Sequence, residues 1–333
     1  MCSDPLTAQG EPVSALWTQD ELGRVGNAGD GALRRGEGAR VMTLLVALAA
    51  GATGCAHVAP PASVPPTADA ALSRMHATFA CGNAVQSNDK IDHFGEQGRV
   101  RADLMLYAAR PDRLRMDVVS PFGVTLATLT SDGHRFGLTD LRDKVFYEGP
   151  ARACNIARLT TLPVPGHVLV SLLRGEAPVL KHEAGVATMA WDSHGFWIVT
   201  VPSTRGATEE IHLAPRPEDW QRPWDQQRLR VLDVRVTQQG NLLYHAELDD
   251  HQGAPTAGPR QDPDNLPGEA PIPPSGPVCD AEVPRRIHVE VPYPEADVRF
   301  TTTQLTWNPP LPEGTFEQPV PAAMRIQPVT CDE

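Results

Sequence analysis

The chain has 333 residues and a formal net charge of −12, with 33 prolines and 27 glycines beside 41% hydrophobic residues. An acidic chain with no lysine- or arginine-rich block lacks the basic footprint that nucleic acid demands, which excludes nucleic acid as a partner. From Cys55 onward 279 residues remain (333 less 54), enough for one large or two small domains.

Residues 1–40 fit neither an export signal nor a domain, because MCSDPLTAQGEPVSALWTQDELG is polar and acidic; translation is expected to start near Val25 or Val41. Leu44 to Cys55, LLVALAAGATGC, is an apolar run closing on small residues and a cysteine, with Arg34, Arg35 and Arg40 upstream. Those are the parts of a secretory signal, and the core is too short to span a bilayer of roughly 30 Å. The ending Ala52-Thr53-Gly54-Cys55 resembles the lipobox of bacterial lipoproteins, with alanine where leucine is commoner. That resemblance implies removal of residues 1–54, a diacylglycerol on the Cys55 sulfur and an acyl chain on its freed amine, with no other cofactor. Two or more chains make such anchoring stable. Residues 55–68, rich in proline and alanine, read as an extended tether.

With Cys2 in the leader and Cys55 acylated, Cys81, Cys154, Cys279 and Cys331 form an even set suited to an oxidising compartment. Three pairings are open. Cys81 with Cys154 and Cys279 with Cys331 is the favoured one, since the second pair flanks the last segment. No two of the four are spaced as CxxC and none has a histidine at ligand spacing, so no metal is expected.

The folded body is expected from residue 69. Residues 69–78, DAALSRMHAT, predict a short helix with Asp69 as its cap. Period-two alternation follows. Leu114, Met116 and Val118 share one face against Arg113, Arg115 and Asp117, and Ala102, Leu104 and Leu106 oppose Arg101 and Asp103, with Ala-Arg-Pro-Asp turning between them. Further strands are predicted near 124–131, 134–139 and 144–148. From Ala151 to Gly175 the pattern turns helical, with Pro165 suited to a first turn and Val168, Leu169, Leu172 and Leu173 as an apolar stripe. Strands resume at about 186–192, 195–201, 208–213, 228–237 and 240–249. Residues 251–278 are dense in proline and glycine and read as a disordered insertion. Two last strands, near 285–291 and 296–307, complete one domain (69–250 with 279–333), and the tail runs extended across its surface to Cys331. The sum is a mainly β chain: an open antiparallel half-barrel of about ten to twelve strands with helices over its concave face.

An enzyme is not expected. The chain has no GxSxG elbow, HExxH, Walker loop or GxGxxG between strand and helix, and its eleven histidines are scattered. Trp191-Asp192 and Trp224-Asp225 lack the period of a propeller. Ser120-Pro121-Phe122-Gly123 does stand out, because proline and glycine around Phe122 force a tight turn and hold an aromatic ring at its tip.

The stretch from PDRLRMDVVSPFGVTLATLTSDGHRFGL through TTLPVPGHVLVSLLRGEAP to WDSHGFWIVTV, roughly residues 97–201, resembles the LolB family of outer-membrane lipoproteins. The resemblance implies an open β-half-barrel whose apolar cavity takes up acyl chains. It also implies a tight turn, here carrying Phe122, that enters the membrane to release cargo. The insertion, the extra cysteines and the long tail depart from that family. Leu104, Leu106, Leu114, Met116, Val118, Leu126, Phe136 and Leu172 are the expected cavity lining. The resulting expectation is a monomeric, lipid-anchored envelope protein at the outer membrane, facing the periplasm. It would bind membrane lipid, and would receive lipoproteins from a periplasmic carrier. The alternative is a structural lipoprotein that docks onto an envelope complex by a sheet edge or the insertion.

Overall fold

The computed structural model describes residues 57–95, 98–261, 269–293 and 295–331; the expected leader, Cys55 and residues 262–268 of the insertion lie outside them. In chain order the elements are α1 (Ala68–Phe79), β1 (Ala84–Gly95), β2 (Gly98–Ala109), β3 (Arg113–Val119), β4 (Thr125–Ser131), β5 (Arg135–Asp140) and β6 (Val145–Pro150), then α2 (Ala153–Thr160) and α3 (Gly166–Leu173). After these come β7 (Thr188–Asp192), β8 (Phe196–Pro202), β9 (Ala207–Pro215), β10 (Leu229–Gln238), β11 (Asn241–Gln252), β12 (Val283–Val291), β13 (Ala296–Trp307) and β14 (Arg325–Pro328).

All fourteen strands form one sheet, ordered β14-β6-β5-β4-β3-β2-β1-β13-β12-β11-β10-β9-β8-β7. Two antiparallel meanders, β1–β6 and β7–β13, are joined where β1 pairs with β13, from Val85 opposite Trp307 to Phe94 opposite Asp297. Among the described strands only β14 is parallel to its neighbour, β6. The terminal strands β14 and β7 do not pair with each other, so the sheet is open. Helix α3 touches β2, β3 and β12. In a flat sheet β3 and β12 would stand about 19 Å apart at ~4.8 Å per strand, wider than a helix, so the sheet curves around α3.

The expected count of ten to twelve strands is exceeded by β1 and β14. The inward row of β1 runs Val85, Ser87 and Asp89, all buried, and then Ile91 and His93, half-buried, so polar residues occupy positions where an apolar stripe would reveal a strand. The single helix expected over 151–175 is two helices. Residues 161–165 separate them, with Thr161 at φ 59° and prolines at 163 and 165, each of which pushes its predecessor out of helical geometry. Pro165 therefore caps α3 in an extended conformation instead of sitting in its first turn. Helix α1 is capped by Thr67, whose hydroxyl accepts from Ala70 N at 3.1 Å; Asp69 instead accepts from Gly185 N at 2.8 Å.

The insertion was expected to be disordered, but residues 251–261 and 269–278 of it make backbone hydrogen bonds to the sheet and to one another. Ala257 N donates to Trp307 O and Trp307 N to Pro255 O, each at 2.8 Å, and Arg260 and Ile272 exchange backbone hydrogen bonds. Proline costs a segment its donors but not its carbonyls, and Asn308 supplies donors by reaching Pro277 O at 2.6 Å and Cys81 O at 2.8 Å. The disulfides are Cys81–Cys279 and Cys154–Cys331, correcting the expected Cys81–Cys154 and Cys279–Cys331. Asn308 gathers the segment after α1 and the end of the insertion, while β14 lies along β6 and brings Cys331 to the start of α2. The tail is pinned on its way: Gln318 Nε2 donates to Thr128 O, Thr130 Oγ1 and Gly137 O.

Candidate functional site

Strand register places several turns on one rim. β1 and β2 pair as far as Gly95 and Gly98, β1 carries Phe94 opposite Asp297 near the start of β13, and Val291 opposes Ala296. The β3–β4 turn follows Val119, which opposes Asp103, and the β5–β6 turn follows Asp140, which opposes Ala127. This rim bears exposed apolar side chains: Phe122, Val124, Leu141 and Tyr293. Phe122 is 90% exposed. Its turn is closed by Gly123 N to Ser120 O at 2.9 Å and Ser120 N to Val124 O at 2.8 Å, and Gly123 takes φ 78°, which only glycine adopts freely.

Just inside this rim lies a cavity of about 30 Å³ between the sheet and the end of α2. Ile91, Val100, Ala102, Leu104, Met116, Val118 and Leu159 form its apolar wall, and His93, Arg158, Thr160 and Thr161 its polar lip. Burial lowers the His93 pKa, with Asp297 opposing the effect. The space holds about one water molecule. Of the expected lining residues, Leu104, Met116 and Val118 do border it. Leu106, Leu114, Phe136 and Leu172 are closed within the core at 2% exposure or less, and Leu126 packs half-buried against that core. The inner face is thus filled by the protein's own side chains, where an open apolar cavity was expected. The reason is α2, α3 and the segment between them: Ile156 and Leu159 of α2, Leu162 and Val164 of the connection, and Val168, Leu169 and Leu172 of α3 are all buried in the same core cluster as the sheet's inward side chains.

One inward group was not anticipated from sequence. In β9 the inward row reads Ala207, Glu209, Ile211, Leu213, and Glu209 is fully buried. Its Oε2 accepts from Leu180 N at 2.7 Å, and burial pushes its pKa up to about 8. A carboxyl so placed is protonated at neutral pH, and Tyr244, also buried, lies within its field. The break in an otherwise apolar alternation was the available signal. A second buried carboxylate, Glu176, has the opposite character. It is held by His76 at 2.8 Å, Arg174 at 2.9 Å and Arg110 at 2.8 Å, which outweigh the burial effect and take its pKa down to about 2. That cluster ties α1 to the segment after α3.

No helix among the described residues is long and apolar enough to cross a membrane. No family model matches the chain, and no curated protein does. Among solved structures it is similar to a putative outer membrane lipoprotein-sorting protein domain from Vibrio parahaemolyticus, at 12% identity over 75% of this chain and 97% of that one, with a TM-score of 0.42. It is also similar to a LolA superfamily protein from Nitrosomonas europaea (10% identity, 76% of this chain and 98% of that one, TM-score 0.41). A third is a DUF1329 family protein from Desulfovibrio piger (9% identity, 75% and 97%, TM-score 0.44).

Proposed function

We propose that this chain is a non-enzymatic, lipid-anchored envelope protein that accepts an acyl chain between its sheet and α2 and passes it to a membrane through the Phe122 turn. Cys55 is the lipidated residue in this reading, and the outer membrane is the acceptor. The observation that supports it most is the placement of a 90% exposed phenylalanine on the same rim as the apolar-walled cavity. Burying one aromatic side chain in a bilayer is worth about 1.5–3 kcal/mol, enough to hold a rim against a membrane that a lipid tether already keeps close.

Uptake requires α2 to lift, since about 30 Å³ accommodates no acyl chain. The C-terminal end of α2 is suited to this because the helix has only eight residues and is followed by a left-handed Thr161 and a proline-interrupted segment, while the Cys154–Cys331 disulfide keeps its start in place. Leu159 would then leave the cavity and the incoming chain would take its place, gaining about 0.8 kcal/mol per buried methylene.

The test is native mass spectrometry of the full chain from envelope membranes, followed by transfer of the bound lipid to phosphatidylethanolamine vesicles. A bound acyl lipid, with Phe122→Asp retaining the lipid but losing its delivery, is the expected result. Absence of any lipid, or undiminished delivery by Phe122→Asp, refutes the reading. A protein partner that co-purifies equally with both forms would identify a docking protein instead.

A further inference from the structure

The outer face of β10–β13 carries an unusual row. Where Val234, Ala246, Val289 and Val298 point inward and are buried, the alternate positions Asp233, His245 and Glu247, His288 and Glu290, and Asp297 point outward. Antiparallel register sets them side by side: His288 opposite Glu247, Glu290 opposite His245 on one side and opposite Asp297 on the other. His288 is bracketed by carboxylates. Its Nδ1 is 3.1 Å from Glu247 Oε2, and its Nε2 is 2.8 Å from Asp297 Oδ1 and 3.5 Å from Glu290 Oε1. The three donors of His288, Glu290 and Asp297 all lie within 4.8 Å of one another.

We propose that the outer face of β12–β13 binds a divalent transition-metal ion of the zinc type through His288 Nε2, Glu290 and Asp297. Metal–ligand bonds of about 2.1 Å put tetrahedral donors about 3.4 Å apart, and His288 Nε2 stands 3.5 Å from Glu290 and 2.8 Å from Asp297. Glu247 is a positioning residue: it lies 3.1 Å from Nδ1, where it would hold the Nδ1 proton while a metal takes the place of the proton that Nε2 shares with Asp297 at 2.8 Å, and a metal-bound imidazole is ordinarily oriented by such a carboxylate. Three carboxylates, Glu247, Glu290 and Asp297, lie within 3.5 Å of this one imidazole, with Arg299 3.8 Å from Asp297 as the nearby cation, and a metal ion between Nε2 and the last two carboxylates would offset the remaining negative charge. An imidazole donor with carboxylates selects zinc or copper over calcium or magnesium, which prefer all-oxygen sites. The fourth position faces solvent. The four disulfide cysteines offer no thiolate to compete.

Calorimetric titration of the full chain with Zn2+ near neutral pH tests this, with Co2+ visible absorption as a second readout. The expected result is saturable binding in which His288→Gln and Glu290→Gln each remove one equivalent, while Glu247→Gln keeps the equivalent but weakens it about tenfold to a hundredfold. Near-ultraviolet circular dichroism matching wild type shows that the variants fold. The proposal is overturned if Zn2+ does not bind, or if the stoichiometry is unchanged in His288→Gln, which would place any bound ion elsewhere.

Discussion

Glutamine in place of Glu209 should remove a pH dependence of stability that the buried carboxyl imposes. In the fold Glu209 holds its proton up to about 8, whereas a solvated glutamate releases it near 4.5. Between those values the native state binds more protons than the unfolded chain, so stability falls as pH rises through that window. At about 1.4 kcal/mol per pH unit, the separation corresponds to a loss of up to about 5 kcal/mol by pH 8. The amide side chain would keep the carbonyl that accepts from Leu180 N and cannot ionise, so Glu209→Gln should match wild type near pH 4.5 and exceed it increasingly toward pH 8. The assay is urea unfolding followed by tryptophan fluorescence at a series of pH values. The readout is the difference between the two proteins, because His251, whose pKa burial lowers to about 4, titrates in both. A difference that stays flat from pH 4.5 to 8 would refute the assignment.

Glu176 predicts the opposite slope: its contribution is complete above 4.5 and is lost as pH falls toward about 2. Glu176→Gln should therefore cost about 3–5 kcal/mol at neutral pH by stranding the buried Arg174, with the deficit shrinking in acid, as thermal melts at several pH values would show. Removing the Cys81–Cys279 bond by a double serine substitution should lower stability by about 4–5 kcal/mol, given its sequence separation of 198, measured by denaturant titration. Cys154→Ser should loosen β14 from β6 together with the residues after it, read as faster tryptic cleavage after Arg325 within β14, with the resistance of the other thirteen strands unchanged. Gly82→Ala should destabilise by about 1–3 kcal/mol or more, because its Cβ would stand 2.3 Å from Cζ3 of Trp307, whose indole is completely buried.

Local pattern sufficed for much of this molecule. Alternation in 113–118 and in most later strands is visible because each strand buries one face, so Leu114, Met116 and Val118 announce both the strand and its inward side. The Phe122 turn was equally legible, since Pro121 and Gly123 act on their immediate neighbours and no distant contact is needed to expose the ring. Where polar residues take inward positions, as Ser87 and Asp89 do in β1, the pattern vanishes, because their compensation comes from partners as remote as Thr302. The disulfide pairs, the ordering of the insertion around Asn308 and the closing of the inner face by α2 and α3 likewise depend on which segments the sheet brings together. The outward histidines show the division most clearly. His-x-Glu at 245–247 and at 288–290 marks two side chains on one face of a strand, a period-two fact available to any reader of the chain. That β11 and β12 pair in a register setting His288 against Glu247 is decided by hydrogen bonds between segments roughly forty residues apart, and no spacing within either segment carries it.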